Sequence, residues 1–188
     1  MSPPASKLRR GALRGPLLVL VLLALALSRC GQRDDQQRDR PADRGRSVSA
    51  EVIRVVDGDT ISVELPGGDD EYVRYIGIDT PETVKPGTPV QCGGPRAHAV
   101  NERLVGGRTV TLRFDAERRD VYGRLLAYVF LPGQGHRGRP LFVNAELARR
   151  GLARPLTIPP NDSFAGLFAR LAGRAGVLGR GLWGTCPL

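Results

Sequence analysis

The chain has 188 residues, 41% of them apolar, which suits one packed domain with appendages. Its formal charge of +9 is uneven: ten Lys/Arg and four Asp in residues 1–48 leave +6, against +3 for residues 49–188. Bulk charge therefore does not mark the body of the chain as a nucleic-acid binder. With two histidines, His98 and His136, and no thiol cluster beside them, a structural zinc site is not expected.

Residues 1–28 read as a targeting segment. Lys7, Arg9, Arg10 and Arg14 form a positive start, Leu17 to Leu27 is apolar, and Ala24-Leu25-Ala26 fits a small-x-small cleavage site. The apolar run is shorter than the roughly 18 to 20 residues of a spanning helix. The segment is read as a signal peptide or as an uncleaved N-terminal anchor, with Cys30 as a site for a lipid. Residues 29–47 are rich in Arg, Asp and Gln, and read as a disordered charged linker. Residues 48–188 form the folded domain. The expected location is extracytoplasmic, secreted or held at the cell envelope. Export also leaves Cys92 and Cys186 as a pair, and an exported domain usually joins such a pair. Closing that loop adds about 4 kcal/mol in the chain-entropy picture.

Glu51 to Val56 reads as a strand running into the tight turn Asp57-Gly58-Asp59. Thr60 to Leu65 alternates polar and apolar, the mark of a half-buried strand. Pro66 to Asp70 is a turn, and Glu71 to Ile78 returns as the paired strand. The hairpin brings Asp59 beside Asp79, twenty residues away in sequence. Thr83 to Gly94 is a loop, and Pro95 to Val105 a helix opened by proline and closed by Gly106-Gly107. Arg108 to Phe114 and the almost wholly apolar Leu125 to Leu131 are strands, the second central. Val143 to Arg150 is a short helix stopped by Gly151. Ser163 to Leu178 is the last helix, with Ser163 as its N-cap and Phe164, Leu167, Phe168 and Leu171 as its apolar stripe. Trp183 reads as a core plug. The fold class is mainly β (α+β): a five-stranded barrel of OB type with about three packed helices.

The chemistry gathers at strand ends. Asp59 and Asp79 offer oxygen ligands suited to Ca²⁺ or Mg²⁺. Glu82, three residues on, is the candidate general base for a water. Arg74 shares strand parity with Tyr72, Ile76 and Ile78, and a cation on such a face needs an anionic partner. Arg124 follows Tyr122-Gly123 at the mouth of a strand. Two guanidinium forks converging on a phosphorane stabilise its added charge. These are the parts of a phosphodiester hydrolase. Arg149-Arg150-Gly151-Leu152-Ala153-Arg154 reads either as a contact to a nucleic-acid backbone or as a solvated helix end.

Four ordered segments resemble the staphylococcal nuclease family. They are Asp57-Gly58-Asp59-Thr60, Val73 to Glu82, Tyr122-Gly123-Arg124-Leu125-Leu126-Ala127-Tyr128, and Val143 to Ala153. The resemblance runs from about Val48 to Trp183. It implies an OB-fold, Ca²⁺-dependent nuclease that cuts DNA and RNA, single strands preferred, and leaves 3′-phosphates. It implies Asp59, Asp79 and the Thr80 carbonyl as Ca²⁺ ligands, and Asp57 as a carboxylate behind them. Glu82 matches the base, Arg74 and Arg124 the phosphate clamp, and Tyr122 a phosphate-contacting hydroxyl. Asn144 matches a buried residue bonding across the core. Two departures stand out: Val121 replaces the family's lysine, and Arg154 to Pro160 lacks the family's base-stacking tyrosines. The chain is expected to act as a monomer, with a membrane tether through its N-terminal segment as an option. A non-catalytic OB-fold nucleic-acid-binding module is the alternative reading.

Overall fold

A computed structural model describes residues 44–84 and 87–186. The leader, Cys30 and most of the charged linker lie outside the described residues. Strand β1 (Ser47–Asp57) is followed by β2 (Thr60–Glu64), β3 (Asp70–Tyr75) and β4 (Ile78–Asp79). Helix α1 (Gly94–Val105) leads into β5 (Thr109–Arg113) and β6 (Leu125–Leu131). Then come β7 (Leu141–Phe142), α2 (Val143–Arg149), β8 (Arg154–Pro155), α3 (Ala165–Val177) and the single turn α4 (Leu182–Thr185). Among the described residues, no helix is long and apolar enough to cross a membrane.

The main sheet runs β3-β2-β1-β5-β6-β7, and a parallel pairing of β3 with β6 closes it into a five-stranded barrel with β7 appended. The expected OB-type barrel with packed helices is therefore present. Closure follows from alternation. Val52, Ile61, Val63, Val73, Val110, Leu112, Leu125, Ala127 and Val129 all point inward and are buried. Each fully buried aliphatic side chain contributes about 1.5–3 kcal/mol. In β1 the exposed residues Ile53 and Arg54 are adjacent, and the register with β2 shifts between Val52 and Arg54. This bulge returns Val55 to the interior, which strict alternation would not.

Registers set the site. Across the β1–β2 turn Asp57 faces Thr60, and across β2–β3 Thr60 faces Arg74. The parallel pair sets Val73 opposite Leu125, so Arg124 arrives beside Arg74's strand. Buried Asn101 on α1 holds the turn from behind: its Nδ2 donates to the Asp57 carbonyl at 3.1 Å, and its Oδ1 accepts the Tyr75 hydroxyl at 3.1 Å. Asn144 bonds across the core as expected. It accepts the Val129 N–H at 2.9 Å and donates to the Ile76 carbonyl at 2.9 Å. Gly77 has φ +83°, and a Cβ there would collide with the Phe168 ring, so β3 can turn into β4 beneath that ring only through glycine.

Several expectations shift. Order begins earlier than Val48: Gly45 N–H donates to the Phe114 carbonyl, and the Arg44 guanidinium pairs with buried Asp115 at 3.1 Å. The last helix starts at Ala165, and Ser163 is not its cap. Asp115 is 1% exposed and captures both the Ser163 N–H and hydroxyl, at 3.1 and 2.9 Å. A buried carboxylate outcompetes the orphan amides of a helix start. Trp183 is only half-buried, lies against Gly151 and Gly176, and carries the Arg154 guanidinium 5.6 Å from its ring centre. The Cys92–Cys186 disulfide is present, with S–S 2.12 Å.

Candidate active site

A 510 Å³ depression at one end of the barrel is lined by Asp57, Asp59, Asp79, Glu82, Arg74 and Arg124, among others. Three strands, one turn and two loops deliver these groups. Asp57 and Asp59 flank the β1–β2 turn, where a Cβ on Gly58 would stand 2.7 Å from Thr80 Oγ1 and 2.8 Å from the Ala97 Cβ. Only glycine lets the turn lie this close to the second acidic segment.

Arg74 sits between the carboxylates. Its Nη2 donates to Asp79 Oδ1 at 2.8 Å, and its Nη1 is in direct contact with Asp59 Oδ2. Its side chain is only 15% exposed. Strand parity does not hold around this residue. Tyr72, on the same face of β3, is 48% exposed, and the Gly77 turn breaks the alternation before Ile76 and Ile78 can share that face. Arg74 lies on a polar rim, and its anionic partners are Asp59 and Asp79.

Asp59 Oδ2 also accepts the Thr80 backbone N–H at 2.6 Å. Thr80 Oγ1 is buried and has no hydrogen-bond partner among the described residues. Asp57 is 6% exposed; its Oδ1 accepts the Gly58 N–H at 2.7 Å and the Thr83 hydroxyl at 2.8 Å. Burial raises the Asp57 carboxyl above its ordinary range, Glu82 and Asp59 raise it further, and Thr83 and Gly58 only partly offset this. Asp79 is raised as well, first by partial burial, then by Asp59 and Glu82, with Arg74 opposing. Its side chain is 54% exposed, so solvent moderates that shift.

Glu82 is held in place by its own loop. Its Oε1 accepts the Thr83 N–H at 3.0 Å and the Val84 N–H at 2.9 Å, and Gln91 Oε1 accepts the Glu82 N–H at 2.9 Å. Gln91 returns its own N–H to the Glu82 carbonyl, and Cys92 next to it is tied to Cys186. A carboxylate in a proline-containing loop is thereby given a fixed orientation.

Arg124 is organised by Asp120, which sequence reasoning passed over. Asp120 Oδ2 accepts Arg124 Nε at 2.7 Å, while Oδ1 accepts the backbone N–H groups of Tyr122 and Arg124, both at 2.9 Å. The Asp-x-x-Gly-Arg spacing, read as an Asx turn, was the available signal. Tyr122 is 81% exposed, with the Arg124 guanidinium 5.4 Å from its ring centre. Thr83 and Gln91 were also missed, and no sequence pattern marks them.

The donor set fits a hard divalent cation. Among the described residues no group of three or more His, Cys, Asp or Glu side chains forms a closed metal cage. Two carboxylates supplemented by carbonyl and water oxygens are what Ca²⁺ and Mg²⁺ accept. Asp57, Asp59, Asp79 and Glu82 set four carboxyl groups against the guanidiniums of Arg74 and Arg124 in this depression.

Residues 72–185 match the family described as staphylococcal nuclease homologue. The chain is 48% identical over 119 residues to a thermonuclease of Staphylococcus intermedius, covering 63% of this chain and 66% of that protein. It is 42% identical over 132 residues to the thermonuclease of Staphylococcus hyicus, covering 70% and 73%. It is 41% identical over 123 residues to endonuclease YncB of Bacillus subtilis (strain 168), covering 64% and 54%. With the barrel, the acidic turn and the paired arginines in place, the chain belongs to the staphylococcal nuclease family.

Proposed function

We propose that this chain is an exported Ca²⁺-dependent endonuclease that hydrolyses phosphodiester bonds of DNA and RNA and leaves 3′-phosphate ends. The observation that carries the reading is the convergence of Asp59, Asp79, Glu82, Arg74 and Arg124 on one open depression. Similarity to proteins named thermonuclease and endonuclease supports the same activity.

Asp59 and Asp79, with the Thr80 carbonyl, would hold the cation, and Asp57 supports the turn behind them. A bound divalent cation supplies positive charge against the phosphate and the attacking oxygen. Glu82, oriented by the Thr83 and Val84 amides, accepts the proton of an attacking water. Arg124, aligned by Asp120, and Arg74, which stands between Asp59 and Asp79, would donate to the phosphate oxygens as negative charge grows. Neither guanidinium surrenders a proton readily, since an arginine keeps it to a pKa above about 12.

An apolar depression of 330 Å³ adjoins the clamp, with Ile78, Leu156, Ile158 and Tyr122 in its wall. It suits a base freed from its stack, which favours single strands. Leu156 and Ile158 stand where an aromatic ring would add roughly 1–3 kcal/mol for each stacked base, which leaves Tyr122 as the exposed ring beside the base. The working form is a monomer, secreted or tethered at the envelope through residues 1–28. End-group analysis tests the product assignment. Fragments made with Ca²⁺ should prime a polymerase only after phosphatase treatment. Fragments extended without it contradict the 3′-phosphate assignment.

A further inference from the structure

We infer that a second, arginine-lined groove on the helical side of the domain binds the polynucleotide backbone away from the scissile phosphate. The inference rests on the nuclease reading above but concerns a different surface. A depression of 480 Å³ is lined by Arg96 and Arg103 of α1, Arg149 and Arg150 at the end of α2, and Arg180 before α4. Arg96 and Arg103 are seven residues apart, two helical turns, so they stand in one row about 10 Å long.

The charge in this groove is not balanced locally. Arg149 and Arg150 converge on one carboxylate, Glu146, at 2.7 Å each. Glu146 is 9% exposed, so its capacity to accept is spent on those two partners. Arg96, Arg103 and Arg180 have no carboxylate partner among the described residues and are exposed. Glu102, on the same helix, folds back against Gly106 instead. Five guanidiniums against one carboxylate exceed the +3 carried by residues 49–188 as a whole. Such a concentration of like charge opposes folding unless an anion uses it.

A single chain segment, 181–186, links the groove to the depression beside the acidic site. Asp79 lines both the active depression and a neighbouring one that also contains Arg154, Leu182 and Cys186. Gly181 and Thr185, beside Leu182 and Cys186, then line the arginine groove. Arg154 faces Asp79 across the β4–β8 pair and lies on the Trp183 ring. A strand leaving the clamp past Arg154 has only the 181–186 segment between it and the arginines. A polyanion that must also enter the active site matches this layout better than a flat anionic membrane.

The test compares the full chain with the triple variant Arg96→Gln, Arg103→Gln, Arg180→Gln and with the matching triple Lys variant. Binding of a long fluorescent oligodeoxynucleotide is measured with metal chelated, across a salt titration, beside turnover of a dinucleotide in Ca²⁺. For single strands the slope of log K against log salt falls by about 0.7 for each phosphate that is no longer neutralised. The Gln variant should lose roughly 2 from that slope and roughly tenfold or more in affinity, with the Lys variant near the parent and dinucleotide turnover unchanged in all three. An unchanged slope and affinity in the Gln variant overturns the inference. So does Gln-sensitive binding to anionic phospholipid vesicles with oligonucleotide binding intact. Absence of dinucleotide turnover in the parent would count against the nuclease reading, while the chelated binding data still decide the groove.

Discussion

Asp120 offers the sharpest check on how the arginine clamp is built. Its carboxylate holds three donors: the Arg124 side chain at 2.7 Å and the Tyr122 and Arg124 amides at 2.9 Å. Each amide bond is worth about 1 kcal/mol net. The ion pair, with Arg124 33% exposed, adds about 1 kcal/mol or less. Asp120→Ala removes about 3 kcal/mol of ordering from this turn. If the lost order appears in the transition state, activity falls on the order of 10²-fold, at 1.36 kcal/mol per decade. Asp120→Asn keeps one oxygen for the amides but puts an NH2 where Oδ2 accepts Arg124 Nε, so only that pair, about 1 kcal/mol, is lost and about fivefold is expected. The assay is kcat/KM on denatured DNA, with thermal unfolding alongside. The lost bonds also lower global stability, so kcat/KM is compared at a temperature where the melt shows every variant folded. Parent-like kcat/KM in Asp120→Ala would refute the positioning role.

Three further outcomes follow from the packing. Gly58→Ala forces a Cβ to within 2.7 Å of Thr80 Oγ1 and 2.8 Å of Ala97, and should cost about 1–3 kcal/mol in urea unfolding with an unchanged m-value. Asn144→Ala strands the Val129 N–H and the Ile76 carbonyl in the core, and should lower stability by about 2–5 kcal/mol in the same assay. Burial pushes the Asp115 carboxyl up, but Tyr128, Ser163 and Arg44 outweigh it and leave it below the ordinary carboxylate range. A lowered folded-state pKa means its contribution is full above the unfolded value near about 4 and is lost as pH falls through the folded one. Asp115→Asn should therefore flatten the stability profile below about pH 4, and an equally steep acid limb in that variant contradicts the assignment.

Much of this fold was legible because alternation and punctuation were strong. β6 spans Leu125–Leu131, as the apolar run predicts, and α1 differs by one residue from the proline-to-glycine reading. The acidic turn was legible because Asp-Gly between alternating segments marks a hairpin, and the hairpin then sets Asp59 near Asp79. What failed was information held in tertiary partners. The Arg74 environment depended on where β3 ends, and a glycine turn ends it at Tyr75 rather than Ile78. Ser163 was drawn from its capping role by Asp115, forty-eight residues away. Asp120, Thr83 and Gln91 support the site through backbone groups, so their roles depend on loop conformation and not on residue type. Trp183 was misplaced because its size suggested burial, whereas its ring serves as a platform for Arg154.

The central claim is that Glu82 is the proton acceptor in a cation-dependent cleavage. The direct measurement is hyperchromicity of denatured DNA with Ca²⁺, with Mg²⁺ alone and with EGTA, for the parent and for Glu82→Gln, beside oligonucleotide binding. A positioned base contributes about 10²- to 10⁴-fold. The account predicts Ca²⁺-dependent cleavage by the parent that EGTA abolishes, and a loss of that size in Glu82→Gln with binding retained. Near-parent cleavage by Glu82→Gln, or cleavage by the parent in EGTA, would contradict it.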